Sequence, residues 1–428
     1  MLYPGNALTI VAVVDSGINL EHKDIVKRLW KNTGEIQDNG LDDDNNGSVD
    51  DFHGFDVIDS IGLTQNIANK GDPQGHGTHV AGIIAALAPK AKIMPIRMLD
   101  ATGNGRLSDA LFAWSYALEN GAKVINNSFG VVGSPSSEFS FMEEALKLGK
   151  QKYGAVFIAA AGNQGNNNDV NFCTPANVPG MISVGSVSVN GSASTFSNYG
   201  KKSVHLFAPG EDILSADAFS LSNKTAKSGT SQAAPIVSAL AANILKKNSN
   251  LSDSFVESKI LNAVKSSKKL VDKSVSGGSL SSKYIKKVPQ LSVAPLSRRA
   301  ERNELYSNDN IVNYSRFVGV IDQTSGLTQQ DVINELNCQD HSNIKDVQWF
   351  FDNIAVFTLD ESSIARKPKL SKSRPSKRVL EVSRRSPAQK ALQGIQRTGL
   401  FDTVEWDAYV NNQMLNIDNN NFLSSSYF

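Results

Sequence analysis

An α/β fold, a parallel sheet with helices on both faces, is what residues 8 to about 264 predict, and three observations predict it. Short β-branched runs recur along this stretch, helical patterns lie between them, and each helical pattern opens near Gly, Ser or Thr, as capping requires. In chain order, Leu8 to Val14 reads as a strand, and a helix starts near His76. Lys92 to Arg97 is the next strand, followed by a helix over Ser108 to Glu119 and a strand over Lys123 to Asn126. A helix over Glu138 to Lys152 then leads into strands at Ala155 to Ala160 and Met181 to Val184, and a last helix runs from Ser231 to Lys247. Residues 265–311 are Ser/Lys-rich, then contain Pro and Arg, and have no periodicity, so a linker falls inside them. Beyond it the pattern is Arg316 to Asp322 (strand), Thr328 to Leu336 (helix), Asp346 to Phe351 and Ala355 to Leu359 (strands), Pro387 to Thr398 (helix) and Thr403 to Val410 (strand), a βαββαβ order.

The expected domains are therefore 1–288, a linker at 289–311, a smaller α+β domain at 312–410 with a basic insertion at 362–386, and a tail at 411–428. At 428 residues with 40% hydrophobic content, the chain can bury a large core. Lys+Arg 43 against Asp+Glu 42 gives a net charge of +1, which carries no overall bias towards nucleic acid or membrane. No run approaches the ~20 apolar residues of a membrane span, no targeting signal is read at Met1-Leu2-Tyr3-Pro4, and a monomer is expected. The two cysteines, Cys173 and Cys338, fall in different predicted domains and read as small buried hydrophobes rather than as a disulfide.

Chemistry concentrates in three small-residue-flanked segments: Val13-Val14-Asp15-Ser16-Gly17, Gly75-His76-Gly77-Thr78-His79 and Gly229-Thr230-Ser231-Gln232-Ala233. Taken singly, an Asp after a strand is a turn former and a Ser opening a helix is a cap. Together, an acid, a base and a hydroxyl make a nucleophilic set. The hydroxyl needs a base to take its proton, and the base needs a carboxylate to fix its tautomer. Asn163, after Ala159-Ala160-Ala161-Gly162, supplies a carboxamide at a strand end that, with the Ser231 N–H, suits a developing oxyanion. His79 reads as a packed structural histidine, since one base suffices.

On these residues, and on their order Asp, His, Ser, residues 8–264 resemble the subtilisin family of serine endopeptidases. The resemblance implies a subtilisin-like sheet, Asp15, His76 and Ser231 as a triad, and Asn163 as oxyanion donor. It implies extended edges at Gly103-Asn104-Gly105 and Ser128-Phe129-Gly130, along which polypeptide substrates pair by strand addition. It also implies a cis bond at Thr174-Pro175 and a secreted or vesicular location. One departure is visible: where many subtilisins interrupt the helix after the histidine with a calcium loop, Ala81-Gly82-Ile83-Ile84-Ala85-Ala86 runs straight through. A different calcium candidate is the loop holding Asp42, Asp44, Asn46, Ser48 and Asp51, which has acids at positions 1 and 3, Asn at 5 and Gly47 at 6. His53 stands where a closing Glu belongs, so Asp51 would close a shorter loop, as the similar acidic insert of some parasite and bacterial subtilisins implies; the plain reading is a solvated Asp/Asn turn.

The βαββαβ region looks like a subtilisin propeptide, a ferredoxin-like inhibitor domain, but it follows the peptidase instead of preceding it. That order suggests a C-terminal autoinhibitor or a rearranged reading frame. The expected function is a serine endopeptidase acting on extended polypeptides, restrained by this intramolecular domain. The alternatives are a catalytically silent peptide-binding or scaffold protein with an occluded cleft and, last, a nucleic-acid adaptor built on the basic insertion.

Overall fold

The computed structural model describes residues 8–64, 71–132, 140–281, 284, 316–320, 328–332, 344–350, 354–359, 403–406 and 409–411. The linker at 289–311, Cys338, the basic insertion at 362–386, the helix expected over Pro387 to Thr398 and residues 412–428 lie outside them. The chain divides into two compact units, one holding residues before 138, from 146 to 306 and from 410 onwards, the other holding 138–145 and 307–409.

The first unit is built on a ten-stranded sheet. Its order is Val264–Ser266, Gly278–Leu280, Leu206–Pro209, Ile182–Val187, Val156–Ala160, Val124–Asn127, Ile10–Asp15, Lys92–Arg97, Phe55–Asp56 and Ile61–Gly62. Neighbours are parallel except the outermost pair at each end, which is antiparallel. From Ile10–Asp15 the chain first lays the Phe55–Asp56/Ile61–Gly62 hairpin at one edge and fills the gap with Lys92–Arg97, then crosses to Val124–Asn127 on the other side and continues outward. The strand order therefore reverses at Ile10–Asp15, and its carboxyl end opens into the crevice where open α/β sheets place their chemistry.

Five helices cover the sheet: α1 (His76–Leu87), α2 (Leu107–Glu119), α3 (Ser140–Tyr153), α4 (Thr230–Leu245) and α5 (Asp253–Leu261). Alternation along Val156–Ala160 assigns the faces. Val156, Ile158 and Ala160 join a buried cluster with α1 and α4, which pack on each other. Phe157 points the other way, edge-on to Trp114 of α2 at 5.2 Å between centroids, and abuts Gly149 of α3. Helices thus lie on both faces. α4 is buried almost along its whole length and is rich in Ala, as a helix enclosed on all sides must be.

α5 and the short strands Phe55–Asp56, Ile61–Gly62, Val131–Val132, Cys173–Thr174, Val264–Ser266, Gly278–Leu280, Leu206–Pro209, Ile213–Ala216 and Lys224–Lys227 have no counterpart in the sequence reading. The last two form an antiparallel ribbon against α1. In the second unit four strands form an antiparallel sheet in the order Ile344–Phe350, Ile354–Leu359, Arg316–Val320, Thr403–Trp406. Val318, Val320, Val332 and Ile354 to Phe357 are buried. The strand expected over Thr403 to Val410 is two: Thr403–Trp406 joins this sheet, whereas Tyr409–Asn411 pairs with Asn104–Arg106. Val410 onwards belongs to the same unit as Asn104–Arg106.

Candidate active site

Asp15 ends the strand at the switch point, with its side chain fully buried. Its Oδ1 accepts the Ser16 N–H at 2.7 Å and the His76 Nδ1–H at 2.7 Å. The carboxylate thereby fixes the imidazole tautomer and leaves Nε2 as the acceptor. His76 opens α1, and the two backbones meet because side chains are missing there. A Cβ on Gly77 would lie 2.0 Å from the Gly17 carbonyl oxygen, and one on Gly17 would lie 1.6 Å from that of Gly71.

Asp72 completes this corner, and the sequence reading missed it. Its Oδ1 accepts the Ser16 hydroxyl and the Gly75 N–H, each at 2.8 Å. Its Oδ2 accepts the Thr78 N–H at 2.8 Å and the Thr78 hydroxyl at 2.6 Å. Ser16 Oγ in turn accepts the Gly77 N–H at 3.0 Å. One carboxylate thus satisfies the open amides of the first turn of α1 and ties the strand exit to them. Burial pushes the Asp72 carboxyl up, and these donors oppose the push. The available signal was an Asp shortly before a helix start, which is the mark of a cap.

Ser231 lies in the first turn of α4 and is fully buried. Its hydroxyl donates to the Ser128 carbonyl at 3.2 Å, and the Ser128 hydroxyl donates back to the Ser231 carbonyl at 3.2 Å. That carbonyl is free to accept because the residue four further on is Pro235, which has no N–H to return to it. His76 Nε2 is buried without a hydrogen-bond partner, so the structure places the Ser231 hydroxyl beside Ser128 rather than bonded to the imidazole. Asn163 is oriented by Thr230: its Oδ1 accepts the Thr230 N–H at 2.8 Å and the Thr230 hydroxyl at 2.9 Å. The Asn163 Nδ2 is therefore the uncommitted end, buried and without a partner, as a donor reserved for an arriving oxyanion would be.

The other residues singled out in the sequence sort clearly. His79 Nε2 lies 3.0 Å from the Ile213 carbonyl and 3.1 Å from that of Thr225, and burial pushes its imidazole down from 6.5 to about 3. It is a neutral brace between α1 and the ribbon. Cys173 is buried, its thiol pushed up to about 12, so it carries no thiolate. The Thr174-Pro175 bond is cis. Asn104–Arg106 is a strand, anchored by Asp100, whose carboxylate accepts the N–H of Thr102 and of Asn104. Gly103 and Gly105 flank and form its edge, whereas Ser128, Phe129 and Gly130 are all buried.

In the acidic loop the grouping differs from the expected one. Ligand oxygens of Glu35, Asp42 and Asp44 lie within 4.8 Å of one another. Glu35, seven residues before the loop as read from sequence, is 5% exposed; its Oε1 accepts the N–H groups of Asp43 and Asp44, and its Oε2 is buried without a partner. Asp51 does not join them. Tyr116, Asn32 and Asn46 all donate to its carboxylate, which also occupies the Asn46 amide. Ser48 is buried, and its N–H donates to Asn46 Oδ1. Three oxygen ligands with an orphaned oxygen among them suit a hard divalent cation such as calcium.

A family model described as the subtilase family matches residues 7–283. Thermitase of Thermoactinomyces vulgaris is 34% identical over 242 residues, 54% of this chain and 72% of thermitase. Subtilisin-like protease 2 of Plasmodium falciparum is 35% identical over 255 residues, and a thermophilic serine proteinase of Bacillus sp. (strain AK1) is 34% identical over 251. Each match takes in 56% of this chain but only 17% of the Plasmodium protein and 53% of the Bacillus one. Among solved structures, a cold adapted subtilisin-like serine proteinase superposes with a TM-score of 0.50 at 28% identity, covering 64% of this chain and 90% of that one.

Proposed function

The chain belongs to the subtilase family, and from that premise we propose that it is a serine endopeptidase that cleaves extended polypeptides through an acyl-enzyme. The observation that carries this reading is the buried Asp15–His76 pair at 2.7 Å, with Nε2 left as the acceptor. Ser231 Oγ leaves the Ser128 carbonyl, gives its proton to His76 Nε2 and bonds to the scissile carbonyl carbon. The oxyanion then lies against Asn163 Nδ2 and the Ser231 N–H. Collapse expels the amine, which takes its proton from His76, and water repeats the sequence on the ester. Substrate backbone pairs along Asn104–Arg106 and beside Gly130.

Two finer features belong to this reading. The C-terminal region acts as a propeptide-like restraint; in support, its four-stranded sheet has the first strand between the third and fourth, and Val410 and Asn411, in the same unit as Asn104–Arg106, lie in the strand paired with that edge, where substrate would pair. Calcium held by Glu35, Asp42 and Asp44 stabilises the loop, and the acidic cluster with its orphaned oxygen supports it. A secreted or vesicular protein would meet the calcium such a site needs, and an extracellular serine proteinase of Thermus sp. (strain Rt41A) is among the relatives.

Intact-mass analysis after exposure to a fluorophosphonate tests the triad, with Ser231→Ala as control. One adduct, lost in the control, is the expected result; no adduct in a folded, unrestrained protein would favour the silent peptide-binding reading instead. Val410→Pro removes a backbone donor from the Tyr409–Asn411 edge. It should speed both labelling and peptide hydrolysis, and an unchanged rate would remove the restraint.

A further inference from the structure

Outside the active site, a cavity of about 330 Å³ lies between residues 23–28, the distal half of α1 and the ribbon Ile213–Ala216/Lys224–Lys227. That volume is in the range of small-molecule sites. Its lining includes Gly82, Ile83 and Ala86 of α1 and Leu214 and Ala216 of the ribbon, and at Gly82 helix and ribbon close on each other, since a Cβ there would lie 2.4 Å from Ser215 Oγ. Its rim is cationic: Lys23, Lys27, Arg28 and Lys224 face a single carboxylate, Asp24. Lys224 pairs with Asp24 at 3.3 Å, so four cations less one carboxylate leave an excess of three positive charges around the opening. Arg28 Nε, moreover, is buried and donates to nothing, although a guanidinium N–H removed from water ordinarily finds an acceptor. The positive field reaches beyond the cavity, since Lys92 is pushed down by its own burial and by the charges of Lys31 and Arg28.

We propose that this cavity binds a small polyanion, a compound with two or more phosphate or carboxylate groups on a short skeleton. One anionic group accepts from Arg28, in the planar fork that guanidinium offers to phosphate and carboxylate. A second lies between Lys27 and Lys23, and the short skeleton rests on the Gly82–Ala86 face of α1. The occupant bridges α1 to the ribbon whose Ile213 and Thr225 carbonyls brace His79. Binding therefore stiffens the frame that carries His76 without entering the cleft, and the proposal is independent of the peptidase reading.

The test uses the full chain carrying Ser231→Ala, which prevents self-cleavage, titrated calorimetrically with pyrophosphate and with citrate at fixed ionic strength. Saturable binding and a rise in Tm are expected. Arg28→Gln should weaken binding by about tenfold or more, because a charge-assisted pair is lost. Asp24→Asn should tighten it, because the one opposing carboxylate is removed and Lys224 is released; a merely structural role for Asp24 predicts no such gain. Absence of saturable binding for both anions, or affinities unchanged in both variants, overturns the proposal. Cosedimentation with phosphatidylcholine vesicles containing phosphatidylinositol bisphosphate, without binding of either soluble anion, would overturn it in favour of a lipid headgroup.

Discussion

Asp72, at the Asp15–His76 corner, and Glu35, in the acidic loop, stand in one unit and are buried carboxylates treated in opposite ways. At the corner, Asp72 accepts four hydrogen bonds from donors of the fold itself, two on each oxygen, while Asp15 beside it accepts an amide and an imidazole on Oδ1 and keeps Oδ2 buried without a donor. In the loop, Glu35 accepts two amides but keeps a buried oxygen with no donor, and Asp42 and Asp44 face it. Burial raises the pKa of Glu35, and Asp51 and Asp44 raise it further. The difference teaches what each carboxylate is for: Asp72 is satisfied once the chain has folded, whereas Glu35 keeps a buried oxygen open beside Asp42 and Asp44, as the proposed calcium site requires.

The sharpest break would come from Asn163, the proposed oxyanion donor. Asn163→Ala should lower kcat by about 100- to 1,000-fold with KM little changed, the loss that removal of the same donor causes in a subtilisin. A parallel rise in KM would mean that Asn163 binds substrate in the ground state instead. Next is Asp72→Ala, which strands the Ser16 hydroxyl and the Gly75 and Thr78 amides. It should cost about 3 kcal/mol of unfolding free energy, since each buried donor left unsatisfied costs about 1–3 kcal/mol. Denaturant titration measures it, and a loss under about 0.5 kcal/mol would show that water replaces the carboxylate. Chelation should separate the two regions: EDTA should lower stability by about 2–3 kcal/mol if calcium saturates the loop. Glu35→Gln should abolish that response, and an equal response in this variant would move the cation elsewhere.

The smallest effect concerns pH. His79 is held neutral in the fold, its pKa lowered from 6.5 to about 3. The unfolded chain therefore binds the extra proton first as pH falls below 6.5. Its contribution to stability is full above that value, and is lost at up to about 1.4 kcal/mol per pH unit as pH falls towards 3. His79→Gln should flatten the slope by that amount, and an unchanged slope would assign acid sensitivity to other groups.

What was legible in the sequence follows from locality. The start of α1 could be read because Gly75, His76 and Gly77 stand side by side in the chain, and so could the main parallel strands, whose apolar runs are long. Asp72 could not, because a lone Asp before a helix carries no mark of the long-range bond to Ser16. Glu35 was missed because the calcium pattern was counted along one continuous loop, whereas the fold brings in a carboxylate from before it. Leu206–Pro209, Ile213–Ala216 and Lys224–Lys227 are four residues each, too short for periodicity to declare. The division of the last strand at residues 407–408 also escaped, since both halves share one extended pattern and only their different partners separate them.

Gly17, Gly71 and Gly77 have a consequence for how such a chain can change over generations. A Cβ on Gly17 would strike the carbonyl of Gly71, one on Gly71 the carbonyl of Ile18 at 2.2 Å, and one on Gly77 the carbonyl of Gly17. The obstacles are all main-chain oxygens, which no neighbouring side-chain substitution can trim away. A lineage that drifts freely at the exposed surface therefore has no stepwise route past any of the three, and a copy that acquires a side chain at one of them has abandoned the geometry that joins Asp15 to His76.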